Sequence, residues 1–176
     1  MIFKEIYKMS AKAGACREER RKLRNAKSKE DLLGMYLDNI KFCMVYNFPS
    51  AKYIKNNMRK LGESANIFVD KEIILKDPEQ VILLGQCIAH VELSGSTNCR
   101  IYIKNDSVLK ITLHNTSKAI IDMFDSSRVM ADAHDDSKVY AFSISGGKIS
   151  RVTDQHVKHY SVELQHYLKG REDGKL

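Results

Sequence analysis

Three side chains in the second half of the chain are of types that bind transition metals. His114 and His134 are twenty residues apart, and Asp132 lies two residues before His134. A zinc site needs three or four ligands that converge on one point, and this spacing gives only a weak signal for one. The histidines of residues 156–166 give an equally weak signal. We therefore predict polar surface positions here and no metal site.

Short motifs of common enzyme classes give no stronger lead. The stretch "LSGST" at residues 93–97 contains serines next to glycine, but it lacks the strand–turn–helix context of a nucleophile elbow. The phosphate-binding patterns GxxxxGKS/T and GxGxxG do not occur. We predict a protein that is not an enzyme, with no catalytic residue and no cofactor.

The cysteines and the N-terminus indicate a cytoplasmic protein. Disulfide frameworks and zinc ribbons need closely paired cysteines, so we expect reduced thiols that are mostly small core residues. The first residues, "MIFKEIYKMSAKAGAC", carry charges where a signal peptide needs an apolar stretch. No apolar run approaches the roughly 20 residues of a membrane span, and we expect no membrane partner. The cysteines are Cys16, Cys43, Cys87 and Cys99.

The net charge of +7 is concentrated near the N-terminus. Residues 1–62 contain 15 Lys and Arg against 6 Asp and Glu, whereas residues 63–176 contain 14 against 16. Such asymmetry is typical of a part that meets an acidic partner. If residues 16–29 are helical, five basic side chains align in one stripe: Arg17, Arg20, Arg21, Arg24 and Lys27.

Two interpretations of this basic stripe are open. The first is a solvated helix in which Glu18 and Glu19 pair locally with basic neighbours. The second is a surface that binds phosphate groups or an acidic protein. Residues 16–29 contain no aromatic side chain, so the stripe lacks the stacking platforms of single-strand binders.

Helical periodicity follows the basic stripe. Ser28 is a predicted N-cap, and the first helix should end near Asn47 because Pro49 disfavours helical geometry at the preceding residue. A second helix then begins at Pro49 or Ser50 and ends near Gly62. Apolar residues recur at three- and four-residue steps in the first helix: Leu32, Leu33, Tyr36, Leu37, Ile40, Cys43 and Met44.

From residue 78 the chain repeats every ten residues. In the second, fourth and sixth places of seven decamers, 19 of 21 residues are apolar, which predicts strands with one buried face. The eighth place holds residue types that tolerate a left-handed backbone, so we predict a corner there, with side chains that stack in hydrogen-bonded ladders. The eighth-place residues are Gly85, Gly95, Asn105, Asn115, Asp125, Asp135 and Ser145.

The outward-facing places distinguish two arrangements of these strands. In odd-numbered decamers 8 of 12 outward residues are apolar, whereas in even-numbered decamers only 1 of 9 is. Neighbouring strands of an antiparallel meander share one outer face, so a meander would not alternate in this way. We predict an α+β fold: an N-terminal helical segment followed by a short two-sheet parallel β-solenoid with about 20 residues per coil.

The predicted organisation has three parts. Residues 1–65 form a basic helical head, residues 66–150 the solenoid and residues 151–176 a C-terminal cap and tail. The stretch "NIFVDKEIILKD" (66–77) is a strand that enters the stack, and the register fades after Gly147. Residues 154–170 form either a strand or a helix, and the helix would share the face Val157, Tyr160, Leu164, Tyr167 and Leu168.

The apolar outer wall of the solenoid is a candidate interface. Either the N-terminal helices pack on it or it binds a partner or a second copy, with its aromatic side chains as anchors. The anchors we select are Tyr102, Phe124, Tyr140 and Phe142. The whole wall consists of Ile82, Leu84, Tyr102, Ile120, Phe124, Tyr140, Phe142 and Ile144.

Several stretches carry a resemblance. "GACREE", "IKFCMVYNFPS", "IFVDKEI" and "VILLG" resemble small uncharacterised proteins of gut-type bacteria and their phages or mobile elements, and the likeness covers most of the chain. In architecture the chain is similar to bactofilins and pentapeptide-repeat proteins, which polymerise or bind partners. The ten-residue register differs from the repeats of both families, so no site residue carries over from them.

These observations favour a non-enzymatic interaction protein whose partner is another protein or a ribonucleoprotein. The phage-like layout implies a sharper hypothesis, an inhibitor of a host defence nuclease that acts like an anti-CRISPR protein. Two alternatives are a sequence-tolerant nucleic-acid binder that uses residues 17–29, and a self-assembling β-solenoid scaffold, which would make the protein a homo-oligomer.

Overall fold

The computed structural model describes residues 2–151 and 154–169, with side chains for residues 5–150 and 155–169. The chain divides into two compact units, Met1–Ala65 and Asn66–Leu176. Within its described part, the first unit is built from α1 (Ile2–Lys12), α2 (Arg17–Asn25), α3 (Lys29–Asp38), α4 (Ile40–Tyr46), α5 (Ala51–Asn57) and α6 (Arg59–Ser64).

The second unit is built almost entirely from short parallel strands. They are β1 (Ile67–Val69), β2 (Glu72–Lys76), β3 (Gln80–Leu84), β4 (Ile88–Leu93), β5 (Asn98–Ile103), β6 (Val108–Leu113), β7 (Lys118–Met123), β8 (Arg128–Ala133), β9 (Lys138–Ser143), β10 (Lys148–Arg151) and β11 (Val157–Ser161). A 3-10 turn (Asp154–His156) precedes β11, and α7 (Leu164–Lys169) follows it.

The predicted cap of the first long helix is confirmed, but that helix is broken into α3 and α4. The Ser28 hydroxyl accepts a hydrogen bond from the Asp31 N–H at 3.0 Å, and the Asp31 carboxylate accepts one from the Ser28 N–H at 3.1 Å. The break lies at Asn39, whose side-chain amide donates to the Met35 carbonyl at 3.0 Å. An Asn side chain that bonds to a nearby backbone carbonyl offers the chain an alternative to continuing the helix.

The second predicted helix is also divided. Ser50 caps α5, because its hydroxyl accepts a hydrogen bond from the Tyr53 N–H at 3.3 Å. Met58, with φ −135° and ψ 15°, separates α5 from α6. The expected stop at Gly62 is wrong, because Gly62 is buried inside α6, which continues to Ser64.

The strand pairing confirms the two-sheet parallel solenoid. One sheet has the order β1-β3-β5-β7-β9-β11 and the other β10-β8-β6-β4-β2, with parallel neighbours throughout. From β3 to β10 the register joins residues twenty apart, as in Val81 with Ile101 and Ile101 with Ile121. Odd and even strands therefore form opposite walls, which excludes the meander.

The core lies between the two walls and follows the predicted alternation. Ile101, Ile111 and Ile121 have no exposed surface, and burial of each such side chain contributes roughly 1.5–3 kcal/mol. In the even-numbered sheet the columns of core side chains end at Ile73 and Leu75 on one side and at Ile149 on the other; in the odd-numbered sheet they end at Phe68 and Val157.

The corners also follow the prediction, with one exception. Gly85, Gly95, Asn105, Asn115, Asp125 and Asp135 have φ between 55° and 74°. At the last corner the left-handed residue is Gly146, with φ 110°, and not Ser145. Serine tolerates this backbone less well than glycine, and the Ser145 hydroxyl instead accepts a hydrogen bond from the Asp125 N–H at 3.1 Å.

Corner side chains form the predicted ladders along the stack. The Asn105 carbonyl oxygen Oδ1 accepts from the Gly85 N–H at 3.0 Å, and its Nδ2 donates to Asp125 Oδ2 at 3.2 Å. On the other corner Asn115 Oδ1 accepts from the Gly95 N–H at 3.1 Å. The ladders therefore connect each coil to the next.

The two ends of the solenoid differ from expectation in part. Residues 66–77 enter the stack as predicted, since β1 pairs with β3 and β2 with β4. The expected loss of register after Gly147 is wrong, because β10 continues it to Arg151. Residues 154–170, for which both strand and helix were open, contain one of each: β11 adds to β9, where Val157 extends the core column of Val139, and α7 follows.

Substitutions at Asn105 test whether ladder bonds and the left-handed corner both stabilise the solenoid. Asn105→Gly keeps the positive φ and loses two hydrogen bonds, each worth about 1 kcal/mol net. Asn105→Val loses the same bonds and adds the left-handed penalty of a β-branched residue, about 1–2 kcal/mol. Denaturant unfolding followed by circular dichroism should rank stability as wild type, then Gly, then Val. Equal stability of the Gly and Val variants would contradict the corner assignment.

Candidate interaction surfaces

The predicted basic helix is present as α2. Steps of three or four residues join Arg17 to Arg20 and Arg21, and both of these to Arg24, so the four arginines share one side of it. Arg17, Arg21 and Arg24 are exposed, and Arg20 is half-buried. Leu23 is buried in a small apolar core with residues of other helices, and it is the residue that anchors α2 there.

The structure removes Lys27 from the predicted stripe. α2 ends at Asn25, and Ala26 is extended with φ −60° and ψ 130°. The Lys27 N–H donates to the Asp31 carboxylate at 2.7 Å, so this backbone belongs to the cap of α3. Lys27 remains exposed, but it does not continue the helical row.

On α2 the two glutamates pair with a lysine and not with the four arginines. Lys22 lies 3.9 Å from Glu18 and 2.6 Å from Glu19, so the two acids pair with a lysine outside the row. Arg24 donates to the Tyr7 hydroxyl of α1 at 3.0 Å and stacks over that ring at 5.2 Å. Among the described side chains, no carboxylate lies within ion-pair distance of the row.

We name Arg17, Arg20, Arg21 and Arg24 the arginine face. Its side chains combine permanent charge with planar donors that match phosphate oxygens. Because the nearby carboxylates bind Lys22, a partner's anions would not have to displace an internal ion pair. The arginine face is therefore a candidate surface for anionic ligands.

The apolar outer wall of the odd-numbered strands is largely buried. Tyr102 and Phe124 are 5% and 1% exposed, whereas Tyr140 and Phe142 are half-buried. Phe124 meets the Tyr167 ring of α7 edge-on at 5.6 Å, and Phe142 stacks on Tyr160 of β11 at 5.2 Å. The C-terminal residues therefore cover part of this wall.

A buried polar cluster lies under α7. Asp122 has no exposed surface, and its carboxylate binds the Arg100 guanidinium and accepts a hydrogen bond from the Tyr167 hydroxyl at 2.7 Å. Burial, and then the nearby Asp122 charge, raises the pKa of the Tyr167 phenol well above its usual range. The cluster fastens α7 to the outer wall, and sequence reasoning missed it because position 122 looked like an outward surface site.

The opposite wall is polar and carries the histidines considered above. The rings of His114 and His134 are parallel and 5.0 Å apart, and His134 Nε2 lies 3.2 Å from the Asp132 carboxylate. Within residues 5–150 and 155–169, no group of three potential ligands is arranged to hold a metal ion. Here the side chains form the polar ladder that the twenty-residue spacing predicted.

The cysteines lie mostly in the interior, as expected. Cys43, Cys87 and Cys99 are buried, and Cys16 is exposed at the N-cap of α2. Burial raises the pKa of Cys43 and Cys99 to about 12 and also raises that of Cys87. Neutral thiols are poor nucleophiles, so these three are core side chains.

Comparisons with family models, curated proteins and solved structures gave no match to this chain. The resemblance to small proteins of gut-type bacteria and their mobile elements therefore stays a prediction. Among the described helices, none has the length and apolar character that a membrane crossing requires.

Removal of the Tyr167 hydroxyl tests the buried cluster. Tyr167→Phe should lower the free energy of unfolding at neutral pH by about 1–3 kcal/mol, since Asp122 loses a buried donor. The pKa of Tyr167 is higher in the folded protein than in the unfolded one. The stability that follows from this difference is complete below the unfolded pKa of about 10 and is lost as pH rises above it. Alkaline denaturation should therefore be less steep in the variant than in wild type.

Tyr160→Phe is the matched control, because Tyr160 is 43% exposed on the neighbouring strand. We expect that variant to keep the wild-type stability and pH dependence. Identical alkaline profiles for Tyr167→Phe and wild type would contradict the buried cluster.

Proposed function

We propose that this is a non-enzymatic interaction protein whose arginine face binds a phosphate-bearing partner, either a nucleic acid or a ribonucleoprotein. The observation that carries the proposal is the arginine row of α2: among the described side chains no carboxylate pairs with it, because Glu18 and Glu19 pair with Lys22. Sequence-tolerant binding is expected, because phosphate contacts carry affinity and no base sequence.

The charge distribution supports this assignment. Residues 1–62 hold nine more basic than acidic residues, whereas residues 63–176 hold two more acidic than basic ones. A polyanion is therefore attracted to the helical unit and not to the chain as a whole. Because α2 lacks aromatic residues, double-stranded or structured nucleic acid is a better fit than an unpaired strand.

The solenoid supports a binding role without chemistry of its own. Its buried ionisable groups are engaged in structure: Asp122 binds Arg100 and Tyr167, and Lys104 lies 2.9 Å from Asp125. A parallel solenoid is a rigid frame whose outer walls are typical places for partners. Non-enzymatic binding is the function that these features of the solenoid and of the arginine face support best.

A narrower form of the proposal is an inhibitor of a host defence nuclease. The resemblance to phage-type and mobile-element proteins supports it, and so does a cationic face that could occupy a nucleic-acid channel. Such an inhibitor would block substrate cleavage by a reconstituted RNA-guided nuclease. A plain nucleic-acid binder would protect the substrate from every nuclease alike.

Replacement of the arginine face tests the main proposal. Conversion of Arg17, Arg20, Arg21 and Arg24 to alanine should weaken binding to duplex DNA and to structured RNA. It should also lower the slope of log K against log salt by up to about four, at roughly 0.9 per lost phosphate contact. Fluorescence anisotropy across a salt series gives both quantities.

The solenoid offers a matched control with the same loss of charge. Lys118, Arg128, Lys138 and Lys148 are exposed at the starts of four strands, and their replacement by alanine should leave the salt slope near that of wild type. Equal losses in both quadruple variants would contradict a localised site. Absence of wild-type binding at low salt would contradict the proposal itself.

A further inference from the structure

The strand β2 is an unprotected edge of the polar wall. It is the last strand of its sheet, with β4 on one side and no described strand on the other. Ile74, at its centre, is 84% exposed, and Glu72 and Lys76 at its ends are exposed too. The first strand of the other sheet, β1, is buried along its length, so at this end of the stack the exposed edge strand is β2.

The backbone of β2 has hydrogen-bonding groups directed to the open side. The Lys71 carbonyl accepts from the Ile88 N–H at 3.0 Å, and the Asp77 N–H donates to the Glu92 carbonyl at 2.9 Å. Because alternate residues of a strand bond to the same side, Glu72, Ile74 and Lys76 direct their N–H and C=O groups away from β4. Within the described residues no main-chain partner meets them there.

We propose that a second copy of this chain covers the edge, by antiparallel pairing of β2 with β2 about a two-fold axis at Ile74. This inference is independent of the proposed function. In that register Ile74 faces Ile74 of the second copy, and Glu72 faces its Lys76. The three directly opposed pairs are those whose N–H and C=O groups point outward, so each pair exchanges two hydrogen bonds.

The charges of β2 are self-complementary only in this orientation. The sequence "EIILK" has an acid at one end and a base at the other, so antiparallel pairing forms two Glu72–Lys76 contacts, whereas parallel pairing in register opposes like charges. Opposite charges across a strand pair stabilise it, and like charges destabilise it. A two-fold interface uses the same patch on both subunits, as this strand allows.

The same pairing also adds an apolar contact on the inward-facing side of β2. Leu75 is only partly buried against the core, at the end of its column, and antiparallel pairing sets it against Ile73 of the second copy. Edge strands are commonly protected by charge. The opposite edge of this sheet, β10 ("KISR"), has only basic ionisable residues, whereas β2 has a charge pattern that attracts its own copy.

One pair of five-residue strands is a small interface compared with the roughly 1,600 Å² of a stable complex. We therefore expect a reversible dimer with a dissociation constant of about 10–100 μM, which corresponds to the weak end of protein association. Sedimentation equilibrium of the full-length protein under reducing conditions measures it. A monomer at about 1 mM would overturn the proposal.

Charge reversal tests the register. Glu72→Lys and Lys76→Glu each make both end contacts repulsive, so each variant alone should dimerise at least about tenfold more weakly. The double variant restores one acid and one base and should recover the wild-type constant. An equimolar mixture of the two single variants should form heterodimers, because both end contacts are then attractive.

Controls separate this interface from other causes of association. All substituted side chains are exposed, and circular dichroism should show unchanged folding. Ile74→Lys should also weaken the dimer, whereas Met130→Lys, at a 43% exposed position on the same wall, should not. Dimerisation that persists in both single charge variants, or a mixture that stays monomeric, would overturn the proposal.

Discussion

The left-handed corner that recurs every ten residues is the constraint on which the rest of the solenoid depends. Each corner residue has a positive φ, which ordinary side chains avoid, and Gly, Asn or Asp fills these positions. Because side chains alternate along a strand, a shift of one strand's pairing register by a single residue would turn its apolar places outward. The corner ladders hold residues twenty apart side by side. This register places the apolar side chains between the two walls.

The two units differ in how they use their apolar and charged residues. The solenoid buries its apolar columns between the walls and uses its buried charges to hold its own elements, as the Arg100–Asp122–Tyr167 cluster does for α7. The helical unit has a small core around Leu23 and Phe48, and it carries the excess positive charge. Charged groups of the solenoid thus hold its own elements together, whereas the excess positive charge of the chain lies in the helical unit.

Up to Gly147 the sequence predicted the features that depend on a repeated pattern. The parallel walls, the corners and the arginine row of α2 each rest on several residues that agree. Features that depend on one local competition were not predicted: the break at Asn39 comes from a single amide, and Lys27 leaves the row because its backbone bonds to Asp31. The strand β11 was ambiguous because the edge of β9, and not the pattern of residues 157–161, selects its conformation.

Spin-label distances test the central claim, that residues twenty apart are neighbours and residues ten apart lie on opposite walls. Labels at positions 110 and 130 occupy paired positions of β6 and β8, with Cα atoms about 5 Å apart. Their spectrum should show strong dipolar broadening, and that of labels at 110 and 120 should not, because opposite walls are roughly 10 Å apart and the labels point outward. Broadening in the 110/120 pair and its absence in the 110/130 pair would contradict the two-walled solenoid.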